Sequence, residues 1–167
     1  LIDNLSLDRV EIDFIHFSGP DFDIELMNKE YSLELVAQGL TNAVIFNADG
    51  ENIQPSDFFY GKPVVIQRGT FRPITNMNIE ILQKAKQQFE QEPEVNKDKI
   101  APIFEFTLLE SGQLSIDFSD AIARIETINL AGFPVLVSNL PLFYELKSFL
   151  RRCTEAEISI VIGASLL

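Results

Sequence analysis

From Val64 onward the chain alternates short, unbroken apolar runs with longer stretches in which apolar residues recur every three or four positions. The strands expected are Val64–Gln67, Ile100–Leu108, Pro134–Val137 and Ile158–Ile162, of which Val64–Gln67, Val135–Val137 and Ile158–Ile162 read as continuous apolar runs. Between the first two, Thr75 to Gln91 carries Ile79, Leu82, Ala85, Lys86 and Phe89 at helical spacing. Phe118 to Ala131 then carries Phe118, Ile122, Ile125 and Ile128, and the stretch after Asn139 carries Leu142, Phe143, Leu146, Phe149 and Leu150. Unbroken apolar runs suit strands covered on both faces. Spacings of three and four suit helices with one buried stripe. Gly132 is placed to stop the second helix, and Asn139 to cap the third. Strand and helix in regular succession call for crossover connections, hence a parallel sheet. The expected class is α/β, a three-layer sandwich with a mainly parallel sheet. Ligands of such sheets sit beyond the carboxyl ends of the strands, which singles out residues 69–78, 109–112, 138–139 and 163–165.

The N-terminal third is less regular. Val10 to Phe17 alternates apolar and polar residues, as a half-buried strand does. A helix is expected over Asn28 to Gln38, with Tyr31, Leu35 and Val36 on one face and Gly39 as its stop. A short strand, Ala43 to Phe46, precedes a turn at Asn47-Ala-Asp-Gly50 and a loop containing Pro55 and Pro63. Residues 1–62 thus read as an α/β extension of the domain whose core is 63–167. A length of 167 residues is one domain's worth. The chain begins without Met and stops inside an apolar run, so both ends look like cuts in a longer protein, with the core truncated at its C-terminus.

Charge and composition narrow the function classes. The net charge of −12 repels nucleic acid and anionic membrane, and neither is expected as a partner. No run of about 18 apolar residues is present, and the first residues lack the basic-then-apolar pattern of a signal peptide. The single cysteine, Cys153, excludes an internal disulfide, a CxxC pair and a cysteine zinc site, and it fits the reducing cytoplasm. Asp21, Asp23 and Glu25 read as a solvated acidic loop, without the Gly and terminal Glu of a calcium loop. His16, the one histidine, reads as a half-buried, satisfied side chain, since no Gly-x-Ser-x-Gly elbow accompanies it. Glu105 and Glu110 flank a strand end where a site could form. Phe58, Phe59 and Tyr60 make an aromatic patch through which an oligomer could assemble.

The most informative stretch is Val64-Val-Ile-Gln-Arg-Gly-Thr-Phe-Arg-Pro-Ile-Thr-Asn-Met-Asn78. It reads as a buried strand, a glycine bend, a proline loop and a helix start. Gly69 can let backbone approach a ligand closely, and Thr75 or Asn76 can cap the helix. Amide groups at that helix end favour an anion. Residues 62–86 hold Lys62, Arg68, Arg72, Lys84 and Lys86 against the single acid Glu80. This basic segment in an acidic chain fits either a phosphate-facing pocket or an ordinary solvated basic face.

Gly69-Thr-Phe-Arg-Pro-Ile-Thr-Asn-Met-Asn78 resembles the first signature of the nucleotidyltransferase superfamily, most closely that of the nicotinamide/nicotinate mononucleotide adenylyltransferases. Leu82-Gln-Lys-Ala-Lys86 is similar to a pattern in their following helix, and Ile160-Val-Ile-Gly-Ala-Ser-Leu-Leu167 resembles a later strand and turn. A fainter likeness, in the Arg-Pro variant of the motif, is to larger bacterial proteins of that group. The resemblance spans about residues 63–167 and implies a Rossmann-like, nucleotidyltransferase-like core. It implies transfer of AMP from ATP, with Mg2+, to nicotinate or nicotinamide mononucleotide. Gly69, Thr70 and Phe71, with Gly163 and Ser165 of the second stretch, become the nucleotide-binding residues, and Thr75, Arg72 and Asn78 the catalytic ones. Arg72 stands where the family has Asp or Asn, Asn78 where it has the catalytic His, and Ser165 where it has Asp. A neutral amide replaces a group able to carry charge, so the alternative is a catalytically inactive nucleotide- or anion-binding domain.

Overall fold

A computed structural model describes residues 12–20, 24–108 and 116–162. Helix α1 (Ile24–Ala37) leads into β1 (Ala43–Phe46) and the two-residue β2 (Asn52–Ile53). A short helix α2 (Pro55–Phe59) precedes β3 (Val64–Arg68), α3 (Asn76–Phe89) and β4 (Ala101–Thr107). Helix α4 (Phe118–Leu130), β5 (Val135–Ser138), α5 (Phe143–Cys153) and β6 (Ile158–Ile162) complete the order. The strands form one mixed sheet in the order β2-β1-β5-β4-β3-β6. β3 is parallel to both β4 and β6, and β4 is parallel to β5. β1 runs antiparallel to β5 and to β2, so the N-terminal strands extend the parallel block rather than continue it.

Alternate residues of each strand feed two separate cores, one per face of the sheet. Phe46, Val65, Phe104, Phe106 and Val137 pack with Leu33 of α1, Leu82 of α3 and Ile125 of α4. Ile45, Val64, Ile66, Ile103 and Leu136 pack with Phe59 of α2 and with Leu146 and Leu150 of α5. β3 lies inside the sheet and is buried at every residue, whereas β6, at the edge, is only partly covered despite its apolar sequence. Gly132, at φ +84°, ends α4 in the left-handed conformation that glycine adopts most readily.

The differences from the sequence reading lie mostly before Val64. Residues 12–18 form no strand, and Val10 and Glu11 lie outside the described residues. Side-chain amides stand in for a strand partner there. Asn28 accepts from the Phe17 N–H at 2.6 Å and donates to its carbonyl, and Asn52 donates to Ile15 O. α1 starts four residues earlier than expected, and its buried face mixes Asn28, Lys29 and Ser32 with Leu33, Leu35 and Val36, which blurs the apolar period, while Tyr31 is exposed. Lys29 is held by Glu25 and by Glu126 of α4. The expected loop at Pro55 is helix α2, since proline fits the first turn, where its missing N–H costs nothing. Asn139 does not cap α5. Pro141 disfavours helical backbone at the residue before it, the cap falls on Leu142, and Glu145 accepts from the Leu142 N–H. Phe59 is fully buried, so of the aromatic triplet only Tyr60 stands well out in solvent.

Candidate functional site

The chain steps from β3 to β4 to β5 on one side, then returns through α5 to place β6 on the other side of β3. The order reverses at β3, and the residues leaving β3 stand at that reversal. They are the signature residues, so the topology brings Gly69 through Asn78 to the carboxyl edge where open α/β sheets bind ligands. Gly163 and Ser165, which follow β6, lie outside the described residues.

Gly69 continues the ladder by donating its N–H to Glu105 O at 3.1 Å. Its missing Cβ serves a close approach, but the approaching group is the Phe71 ring, which a Cβ would meet at 2.7 Å. Phe71 is buried and packs edge-on against Phe104, with ring centroids 5.0 Å apart. Its φ of +49° is a left-handed conformation that costs a side chain of this kind roughly 1–2 kcal/mol. Phe71 is therefore a core residue seated on the glycine, and Thr70 next to it is exposed.

Thr75 and Asn78 open α3 with a reciprocal cap. Asn78 Oδ1 accepts from the Thr75 N–H at 2.9 Å and from Thr75 Oγ1 at 2.7 Å, and the Asn78 N–H donates back to Thr75 Oγ1. Two donors on one atom settle which end of the amide is oxygen. The Nδ2 end then carries only donors.

Arg72 is recruited by α4. Its Nε and Nη2 donate to Asp120 at 3.0 to 3.2 Å, and Asp120 also pairs with Arg124 Nε at 3.1 Å. Arg124 is buried over the Phe106 ring, 4.0 Å from its centroid, and its Nη1 donates to Thr70 O. The two arginines thus pin the loop from Thr70 to Arg72 to the first turns of α4. The Arg72 hydrogen bond holds the Asp120 carboxyl below its usual range.

Deeper in the sheet Arg68 crosses to β4. Its Nε and Nη2 grip both oxygens of Glu105 at 2.5 and 3.0 Å, and its Nη groups donate to Leu140 O and Pro141 O. Ser138 of β5 donates to Glu105 at 2.6 Å. Burial pushes the Glu105 carboxyl up, against the pull of Arg68. Beside Arg68 on the opposite face, Gln67 is 4% exposed, and its Oε1 has no hydrogen-bond partner among the described residues.

The positive charge that the sequence concentrates in residues 62–86 therefore does not converge. Arg68 belongs to Glu105, Arg72 to Asp120, Lys86 pairs with Glu90 at 3.4 Å, and Lys62 lies over the Phe58 ring. Glu105, Asp120, Arg124 and Ser138 are the partners that sequence reasoning did not assemble. Glu110 lies outside the described residues, as do Asp21 and Asp23 of the acidic loop. His16 is exposed, stacks on Phe14 and contacts Asn52 Oδ1 at 3.3 Å, beside a cavity of about 670 Å³. Among the described residues no helix is long and apolar enough to cross a membrane. Comparison with protein-family models, with curated proteins and with solved structures returns no match.

Proposed function

We propose that this chain is a three-layered, Rossmann-like domain of nucleotidyltransferase type that binds a phosphate-bearing nucleotide at the carboxyl edge of β3, beside β6. Supporting it are the reversal of strand order at β3, the amino end of α3 facing that edge, and the sequence resemblance of residues 69–78. In this reading the domain binds without transferring. The observation that carries this is the Asn78 amide, whose oxygen is spent on Thr75 and whose remaining end has only N–H donors. Such a group can hold a phosphoryl oxygen but cannot take up charge as adenylyl transfer proceeds. The Phe71 ring takes the close approach at Gly69 that a phosphate would use, so in this reading the phosphate contacts fall to the Asn78 amide and the amino end of α3.

The alternative is transfer of AMP from ATP to nicotinate or nicotinamide mononucleotide. Arg72 favours it, being a partly exposed cation on the loop after β3, where it pairs with Asp120. Mg2+ would enter with the ATP, as the resemblance implies. Calorimetry with ATP and with nicotinate mononucleotide tests both readings. Heat of binding for at least one is expected, and silence with both overturns the proposal. Adenylyl transfer by the wild-type chain that disappears in Asn78→Ala would select the alternative. Activity that appears only in Asn78→His would select binding alone.

A further inference from the structure

Gln67 is the one buried amide of β3, and its register is fixed on both sides. It stands between Phe104 of β4 and Val161 of β6. Residues alternate faces along a strand, so Gln67 shares a face with Val65, whose core includes Leu82 of α3. It also shares that face with Gly69 two residues on, where the Phe71 ring lies. The side chain therefore lies on the sheet face that α3 covers, on the strand at which the order reverses. Its Oε1 is buried and unpartnered among the described residues. A buried acceptor left unpaired is disfavoured, and an apolar residue would fill this row with no such penalty.

Resting on the nucleotide-binding reading above, we propose that Gln67 Oε1 is a specificity determinant of that site, accepting a hydrogen bond from an O–H or N–H donor on the nucleoside part of the ligand. The ligand class is then a nucleoside phosphate and not a bare phosphate or polyphosphate. A ligand reaches the amide when the Phe71 ring turns away from Gly69. The donor pairs with the orphaned oxygen, so the group that weakens the free protein contributes to the bound one.

The test compares ATP with inorganic tripolyphosphate on wild type and on Gln67→Met, which keeps the length of the side chain and removes the acceptor. Gln67→Met should weaken ATP binding by about ten-fold, leave tripolyphosphate binding within two-fold and melt no lower than wild type. Equal loss for both ligands, or no loss for ATP, overturns the role of Gln67 while leaving nucleotide binding intact. Absence of binding of both ATP and nicotinate mononucleotide to wild type overturns both readings. A wild type that binds only the mononucleotide is tested in the same way, with that ligand compared against inorganic phosphate. In case Gln67→Met does not fold, the Gln67 side-chain amide resonances of the wild-type protein supply the second measurement. They should shift with ATP and stay put with tripolyphosphate, and the opposite pattern overturns the proposal.

Discussion

Two arginine–carboxylate clusters stand at the same edge of the sheet and differ in nearly every physical respect. Arg68–Glu105–Ser138 joins three adjacent strands, and its carboxylate has no solvent exposure. Arg72–Asp120–Arg124 joins a loop to a helix, and Arg72 and Asp120 are each about one-third exposed. The carboxyls move in opposite directions, Glu105 upward by burial and Asp120 downward through its bond to Arg72. A buried pair contributes little against an apolar replacement but is expensive to break from one side. A half-exposed pair is worth little either way in stability. The first cluster therefore ties the strand ends together, while Arg72 and Asp120 of the second, partly in solvent, can exchange partners at lower cost.

The sharpest way to break this contrast is at Glu105. Glu105→Leu leaves the Arg68 guanidinium inside the sheet without its acceptors and should lower unfolding free energy by about 3–5 kcal/mol in urea titration. The double variant Arg68→Met/Glu105→Leu should recover most of that loss. Equal destabilisation by both would mean that packing, and not charge, holds the strand ends. Ser138→Ala removes one hydrogen bond to the same carboxyl and should cost about 1.5–3 kcal/mol by the same measurement. Asp120→Asn should cost about 1–2 kcal/mol, above the range of an exposed pair because Arg124 is buried, while loosening the hold on Arg72. Its ATP affinity, read by calorimetry, should rise rather than fall, and a fall would make Asp120 part of the binding surface.

The pH dependence sharpens the contrast further. Asp120 titrates lower in the folded chain than its ordinary value of 3.8, so its contribution is complete above that value and disappears as pH falls through the depressed folded value. The stability gap between wild type and Asp120→Asn should therefore narrow below about pH 3.8. Glu105 acts with the opposite sign. Its contribution is complete below its ordinary 4.5 and declines as pH rises through the raised folded value. Urea midpoints of wild type and each variant, measured across the acid range, separate the two.

The strands and helices after Val64 were legible because both faces of β3, β4 and β5 are covered. Coverage on both faces demands apolar residues in sequence, and a helix lying on a sheet demands one apolar stripe. The same rule failed where polar side chains supply the contacts. The face of α1 buries Asn28, Lys29 and Ser32, and the segment ahead of it is held by asparagine amides in place of a strand ladder. The candidate site was legible as a bend and a helix start, and its side-chain pairings were not. Gly69 marked the bend and Thr75 or Asn76 the helix start, since those conformations need particular residue types, whereas the part of Asn78 in the cap came only with the structure.

Local residue types thus determined the parallel α/β block, the bend after β3 and the cap of α3. Partnership was decided only by the folded chain. Glu105 lies 37 residues from Arg68, and Asp120 lies 48 from Arg72. No local pattern couples such positions, because Coulomb and hydrogen-bond forces act over a few ångströms of space whatever the separation along the chain. A basic segment in the sequence became two neutralised clamps, and a glycine suited to a phosphate became the seat of an aromatic ring.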